Sequence, residues 1–420
     1  MSKFIIEESP PLNGKARVSG SKNAALPIMA AALMARKKCI VHDVPALTDI
    51  FVMQNILESL GGKTEWDKKT ETMSITAPSA GKFDADYELI SKIRASFLIM
   101  GPLLARFKKV RTVLPGGCAI GVRPVDLHLK GFAALGAEIN LEHGYVEATA
   151  KRLKGTEIYL DFPSVGATEN IMMGATLAEG RSVLHNCAQE PEITDLANFL
   201  VSAGADISGA GTDIITINGV ESLRGGEYTI IPDRIEAGTL IAAACAKPGG
   251  NIVLENAIAE HLKPIIMKLR EMGAEITVNN GLLHVQSPEE RLKSTDLKTL
   301  PYPGFPTDMQ AQLMALLLTA QGRGMVVETV FENRFMHAAE MKRMGADIKI
   351  DSRTAVITGV ERLTGCHVKA TDLRAGAALI VAALAAGGQT EVTDIFHLER
   401  GYDRIDEKLR QLGARIIRVE

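Results

Sequence analysis

The stretch LPGGCAIGVRP, residues 114–124, hangs a thiol on a pliable piece of chain. Cys118 stands among Gly116, Gly117, Gly121, Pro115 and Pro124, with Arg123 five residues on. A structural cysteine acts as a small buried hydrophobe and needs no such loop. A free thiol has a pKa of about 8.5, so at neutral pH it is mostly protonated and can donate a proton. Nearby cations such as Arg123 favour the thiolate, which is a nucleophile. Cys39, Cys187, Cys245 and Cys366 are scattered and form no CxxC pair, which argues against a disulfide framework or a zinc site. A thiol hydrolase would need a histidine base. His128 lies ten residues away, but the loop supplies no obvious oxyanion hole. There is no GxxxxGK[ST] and no HExxH, and the glycine spacing of GGCAIG is weak evidence for a phosphate cradle.

The elements that must position this loop come from a repeat. LGGK (60–63), LGAEI (135–139), AGADI (203–207), MGAEI (272–276), MGADI (344–348) and LGARI (412–416) recur along the 420 residues. Their first glycines, at 61, 136, 204, 273, 345 and 413, divide the chain into six units. The fourth unit shows the internal order. TLIAAACAKPGG is an apolar helix stopped by Pro and Gly. NIVLENA is strand-like. EHLKPIIMKLREMGA places Leu262, Ile265, Ile266 and Leu269 on one helical face. EITVNNGLLHV is a hairpin around Asn280-Gly281. Between strand and second helix, unit two is three residues longer than unit four, so Cys118 falls on an extended loop able to close over a site.

The helices TLIAAACA and ALIVAALA are apolar all round, which predicts buried helices with sheets outside. The sixth unit reaches Glu420 after one strand of its hairpin, and FIIEE near the N-terminus offers a partner. Residues 1–20 are therefore expected to complete the last unit. Units one to three would form one domain, 21–231, which carries the loop. Residues 1–20 with 232–420 would form the other.

Hydrophobic residues make up 46%, charged residues 23% and aromatic residues 5%, and the net charge is −3. These values describe a globular protein with a full core and speak against nucleic-acid binding. MSKFIIEESPPLNGK has no long apolar stretch of the signal-peptide kind, and apolar runs reach about a dozen residues where a membrane span needs roughly 20. The expectation is a cytoplasmic protein with reduced thiols.

Ten stretches carry a family resemblance: GSKNAALPIMAA (20–31), IRASFLIMGPLLAR (93–106), LPGGCAIGVRPVDLH (114–128), SVGATENIMM (164–173), EPEI (190–193), IPDRIEAGT (231–239), PGFPTDMQAQ (303–312), FENRFMH (331–337), TDLRAGAAL (371–379) and ERGYDRI (399–405). In this order and over nearly the full length, the chain resembles the enolpyruvyl transferases. The resemblance implies an α/β fold, a two-domain inside-out α/β barrel of six βαβαββ repeats, three per domain. It implies transfer of the enolpyruvyl group of phosphoenolpyruvate to the 3-hydroxyl of UDP-N-acetylglucosamine, with release of phosphate and without metal or cofactor. Two other readings stand beside it: the family activity on shikimate 3-phosphate, which is not expected to carry the cysteine loop, and a non-catalytic nucleotide-sugar-binding paralogue.

The same resemblance assigns residues. Cys118 is the proton donor and the thiol that fosfomycin would modify, and Asp308 is the general base. Lys22, Arg123 and Arg400 face the phosphate of phosphoenolpyruvate, and Arg334 and Arg374 face its carboxylate, with Asn23 beside Lys22. Arginine forks suit both anionic groups. Arg123, Pro124, Val125, Asp126 and Leu127 contact the uridine end of UDP-N-acetylglucosamine, and Arg94 also contacts that substrate. Ser164, Val165 and Gly166 contact the diphosphate, and Val330 and Asp308 the sugar. Phe162 replaces a lysine found in other members, so no contact is assigned there. Asp49, His128, Glu190, Glu192 and Asp233 are supporting residues. Asp308 also stands before the apolar helix MQAQLMALLLTA, where it could serve as an N-cap.

Overall fold

The computed structural model describes residues 2–79, 87–114 and 125–420, with the side chain of Arg94 excepted. Cys118, Arg123 and Pro124 lie outside the described residues. The described chain divides into two compact units, one of residues 2–19 and 232–420, the other spanning 20–231.

In the first of these units, three helices form the centre. In Arg234–Cys245 every residue after Arg234 is buried, in Gln310–Leu317 all are, and in Leu373–Ala385 those from Arg374 to Leu384 are. They pack on one another. Alanine-rich, all-round apolar sequence permits this, because no face has to meet water. The second helix of each repeat is amphipathic. Lys263–Glu271 buries Ile265, Ile266 and Leu269 and leaves its charged face out. Strands alternate in burial; Leu282–Gln286 buries Leu283 and Val285. Each such side chain removed from water contributes roughly 1.5–3 kcal/mol. Helices inside and sheets outside make this the inside-out α/β arrangement, and the described strands form separate sheets, none closed on itself.

Five sheets have four strands in one order, and the sixth has three among the described residues. In the fourth repeat, Leu282–Gln286 runs antiparallel to both Asn251–Glu255 and Glu275–Asn279. Asn280 and Gly281 make its turn with φ of 52° and 77°. Positive φ at both central residues suits the twist of a two-residue hairpin, and Asn-Gly adopts it at least cost. The N-terminal segment is shared between two sheets. Lys3–Glu7 inserts between Gln389–Thr393 and Ile416–Val419 in the sixth repeat. Asn13–Arg17 instead runs parallel to Asn251–Glu255 in the fourth. In the other unit, Glu227–Thr229, which follows the third repeat, runs parallel to Cys39–His42 of the first. Each of these two parallel pairings joins segments about 200 residues apart, so no local pattern announces it.

Candidate functional site

In the unit of residues 2–19 and 232–420, three side chains from two repeats converge. Asp308 sits in the 3-10 turn Thr307–Met309 that leads into Gln310–Leu317. Neither that turn nor the helix has a side-chain cap, so the N-cap expectation for Asp308 does not hold. Its carboxylate meets arginines instead. Arg334 Nη2 donates to Oδ1 and Arg374 Nη2 to Oδ2, each at 2.8 Å. The arginine side chains are only 4% and 5% exposed, against 31% for that of Asp308.

Arg374 is held rigidly. Asp372 N-caps its helix, accepting from Arg374 N at 2.9 Å and Ala375 N at 3.0 Å. The guanidinium lies 5.4 Å from the ring centre of Tyr402. The Tyr402 hydroxyl is 3.0 Å from Thr239 Oγ1 and accepts from Gln312 Nε2 at 3.1 Å. Burial works against the charged form of Arg374, but Asp308, then Tyr402 and Asp233, outweigh it and hold the guanidinium above its ordinary pKa.

Glu328, which no sequence motif singles out, ties the surrounding loops together. It is 1% exposed. Its carboxylate accepts from Thr299 Oγ1 at 2.9 Å, Thr307 Oγ1 at 3.0 Å, Val330 N at 2.8 Å and Phe331 N at 3.2 Å. One side chain thus fixes the residue before Asp308 and the segment that leads to Arg334. A lone acid closing the apolar run GMVVE is the available signal. Arg400 ends the 3-10 helix Ile395–Arg400, and Asp233 N-caps Arg234–Cys245. His337 is buried with Nε2 3.3 Å from Met314 Sδ, and burial pushes its pKa down to about 4, leaving a neutral ring.

In the unit spanning 20–231, Lys22 opens the helix Lys22–Ala31, followed by Asn23, with Ser21 Oγ capping Ala24 N at 3.3 Å. Lys22 Nζ lies 3.0 Å from Asp49 Oδ2, both side chains being largely buried. Ser164 caps Val165–Thr176, accepting from Ala167 N at 3.4 Å. Ser164, Val165 and Gly166 therefore stand at a helix N-terminus, which favours anions through its N–H groups and dipole. Asp126 and Leu127 open Asp126–Ala134, just after Val125. His128 is a packing residue. It is buried, meets Phe97 edge-on, and its Nδ1 lies 3.0 Å from Asn170 Nδ2. Arg94 opens the 3-10 helix Arg94–Ile99. Glu190 and Glu192 begin Pro191–Ser202. Asp195, also unmarked by any motif, accepts from Tyr228 Oη at 2.6 Å and Ile231 N at 3.3 Å, and burial pushes it up to about 6.

Burial raises the thiols of Cys187 and Cys245 to about 12, which makes them inert core residues. Among the described residues, no group of three or more His, Cys, Asp or Glu could hold a metal ion, and no helix is long and apolar enough to cross a membrane.

A caged carboxylate beside two buried arginines suits a reaction that binds an anion and moves a proton. The EPSP synthase (3-phosphoshikimate 1-carboxyvinyltransferase) family matches residues 6–409. A UDP-N-acetylglucosamine 1-carboxyvinyltransferase 2 of Carboxydothermus hydrogenoformans is 58% identical over 422 residues, covering 100% of both chains. The chain belongs to the enolpyruvyl transferases. Another such relative, UDP-N-acetylglucosamine 1-carboxyvinyltransferase 1 of Caldanaerobacter subterraneus subsp. tengcongensis, is 56% identical over 417 residues, 99% of each chain. Among solved structures, the enolpyruvyl transferase NikO from Streptomyces tendae superposes with a TM-score of 0.89 at 27% identity, over 100% of this chain and 99% of that one. EPSP synthase from Acinetobacter baumannii, at 19% identity and TM-score 0.78 over 100% of both chains, shares the fold. Within the enolpyruvyl transferases, the full-length relatives group this chain with the UDP-N-acetylglucosamine 1-carboxyvinyltransferases.

Proposed function

We infer that the chain moves the enolpyruvyl group of phosphoenolpyruvate onto the 3-hydroxyl of UDP-N-acetylglucosamine and releases phosphate. The family membership supports the reaction. The single structural observation that carries the residue roles is the Asp308–Arg334–Arg374 cluster.

The sugar hydroxyl gives its proton to Asp308, and its oxygen adds to C2 of phosphoenolpyruvate. The Cys118 thiol supplies the proton that C3 gains. Elimination then returns a C3 proton to the thiolate, expels phosphate from C2 and restores the double bond, and the proton held by Asp308 passes to water or the departing phosphate. Arg334 and Arg374 hold the substrate's carboxylate; Lys22, Arg123 and Arg400 hold its phosphate, with Asn23 alongside. The nucleotide sugar lies along Arg94, Arg123 to Leu127, Ser164 to Gly166 and Val330. In a bacterial cell this is the first committed step of peptidoglycan synthesis, carried out in the cytoplasm. Fosfomycin is the covalent inhibitor expected at Cys118.

The test is phosphate release from phosphoenolpyruvate, with UDP-N-acetylglucosamine or shikimate 3-phosphate as acceptor, for wild type and Cys118→Ser, with and without fosfomycin. Release that requires UDP-N-acetylglucosamine, stops with fosfomycin in wild type and is lost or resistant in Cys118→Ser is the expected result. Release only with shikimate 3-phosphate would overturn the acceptor assignment. No release with either would favour a nucleotide-sugar-binding paralogue.

A further inference from the structure

The two roles assigned around Asp308 collide in space. Arg334 and Arg374 are to hold the carboxylate of phosphoenolpyruvate, yet the Nη2 of each donates to Asp308 at 2.8 Å. Asp308 is to take a proton, yet both of its oxygens already accept charge-assisted hydrogen bonds. A carboxylate engaged in this way is a poor base. Resting on the proposed function, we propose that Asp308 occupies the seat of the substrate's carboxylate and becomes a base only when that carboxylate displaces it.

The surroundings show which partner moves. Arg374 is clamped by Asp372 at its backbone and by Tyr402 beneath its guanidinium, and Tyr402 is fixed by Thr239 and Gln312. Asp308 is the more exposed partner and rides a short uncapped 3-10 turn. Rotation of its side chain releases the bonds to Arg334 and Arg374, whereas moving Arg374 would disturb a buried network. Arg374 Nη1 is also buried without a hydrogen-bond partner among the described residues. The guanidinium fork thus keeps one buried donor that Asp308 does not use. The exchange swaps one anion for another beside two buried cations, so neither guanidinium passes through an uncompensated state. It also couples the two substrates: the base is armed against the sugar hydroxyl only once the enolpyruvyl donor is seated.

The proposal predicts that removing a catalytic carboxylate tightens binding of a substrate-like ligand. The probe is phospholactate, the saturated analogue that carries both phosphate and carboxylate but no reactive double bond. Inorganic phosphate is the control, and calorimetry the readout. Asp308→Asn is expected to bind phospholactate about tenfold or more tightly than wild type, the size of one charged hydrogen bond, with phosphate binding unchanged. Asp308→Glu keeps the competing charge and should show no tightening. Asp308→Ala carries the same expectation as Asn should the Asn chain fail to fold. Equal or weaker phospholactate binding in the neutral variants overturns the exchange. Loss of sugar-dependent phosphate release in wild type would instead overturn the functional reading, so the two failures are separable.

Discussion

Lys22 and Asp308 both stand at the start of a buried helix, one in each unit, with opposite charge and opposite local logic. Asp308 lies where the helix dipole favours an anion, and two arginines reinforce it. Lys22 lies where the dipole disfavours a cation, and Asp49 offsets that cost. Local stability accounts for the first placement and opposes the second. A cation kept at an unfavourable helix end and mostly withdrawn from water points to use, here the proposed phosphate contact. Asp195 adds a third case: a buried carboxylate held by a phenol and an amide, whose pKa rises.

Of the two helix starts, Asp308 carries the largest expected effect on turnover. Asp308→Asn should lower kcat by about 10²- to 10⁴-fold, as expected for loss of a general base. A fall of less than tenfold in steady-state phosphate release would remove Asp308 from that role. Glu328→Ala comes next. It leaves two hydroxyls and two amides around a buried site without their acceptor, and should cost about 3 kcal/mol in urea unfolding. Turnover should fall with it, because the Thr307–Met309 turn loses its anchor. Retained stability in this variant would mean that water or other groups replace the carboxylate.

The third test uses pH. The carboxyl of Asp195 ordinarily titrates near 3.8 and is raised to about 6 in the folded chain. Its stabilising share is therefore complete below about pH 3.8 and is lost as pH rises through about 6. Between pH 4 and 7, wild type should lose on the order of 2 kcal/mol that Asp195→Asn does not lose. Parallel stability profiles for the two proteins would contradict the burial assigned to Asp195. The smallest effects sharpen the helix-start contrast. Ser21→Ala should cost about 1 kcal/mol through the lost cap. Lys22→Arg keeps a cation beside the largely buried Asp49 and should change stability by less than about 1 kcal/mol while phosphate release falls sharply. Unchanged phosphate release in Lys22→Arg would make Lys22 a structural cation for Asp49.

Part of the architecture is legible in the residues themselves. The six glycine phrases, the Asn280-Gly281 turn and the all-apolar helices are local signals, set by backbone conformation and by side-chain period. The matched motifs point to Asp308, Arg334 and Arg374 one at a time. They do not say that the three lock together, because residues 308, 334 and 374 meet only after neighbouring repeats pack. Glu328 and the Tyr402–Thr239–Gln312 cluster escape notice for the same reason. Each is an ordinary polar residue until burial leaves it one set of partners.

The repeat count, the helical core and the family are set within short windows of residues, since they rest on periodicity and on ordered motifs. Packing at long range settles which sheet receives Asn13–Arg17 and which receives Glu227–Thr229, and places Asp308 between two arginines. A strand of three to five residues carries too little pattern to name a partner about 200 residues away. A buried charge is likewise compensated by whatever the packed fold brings within 3 Å, and sequence spacing does not encode that distance.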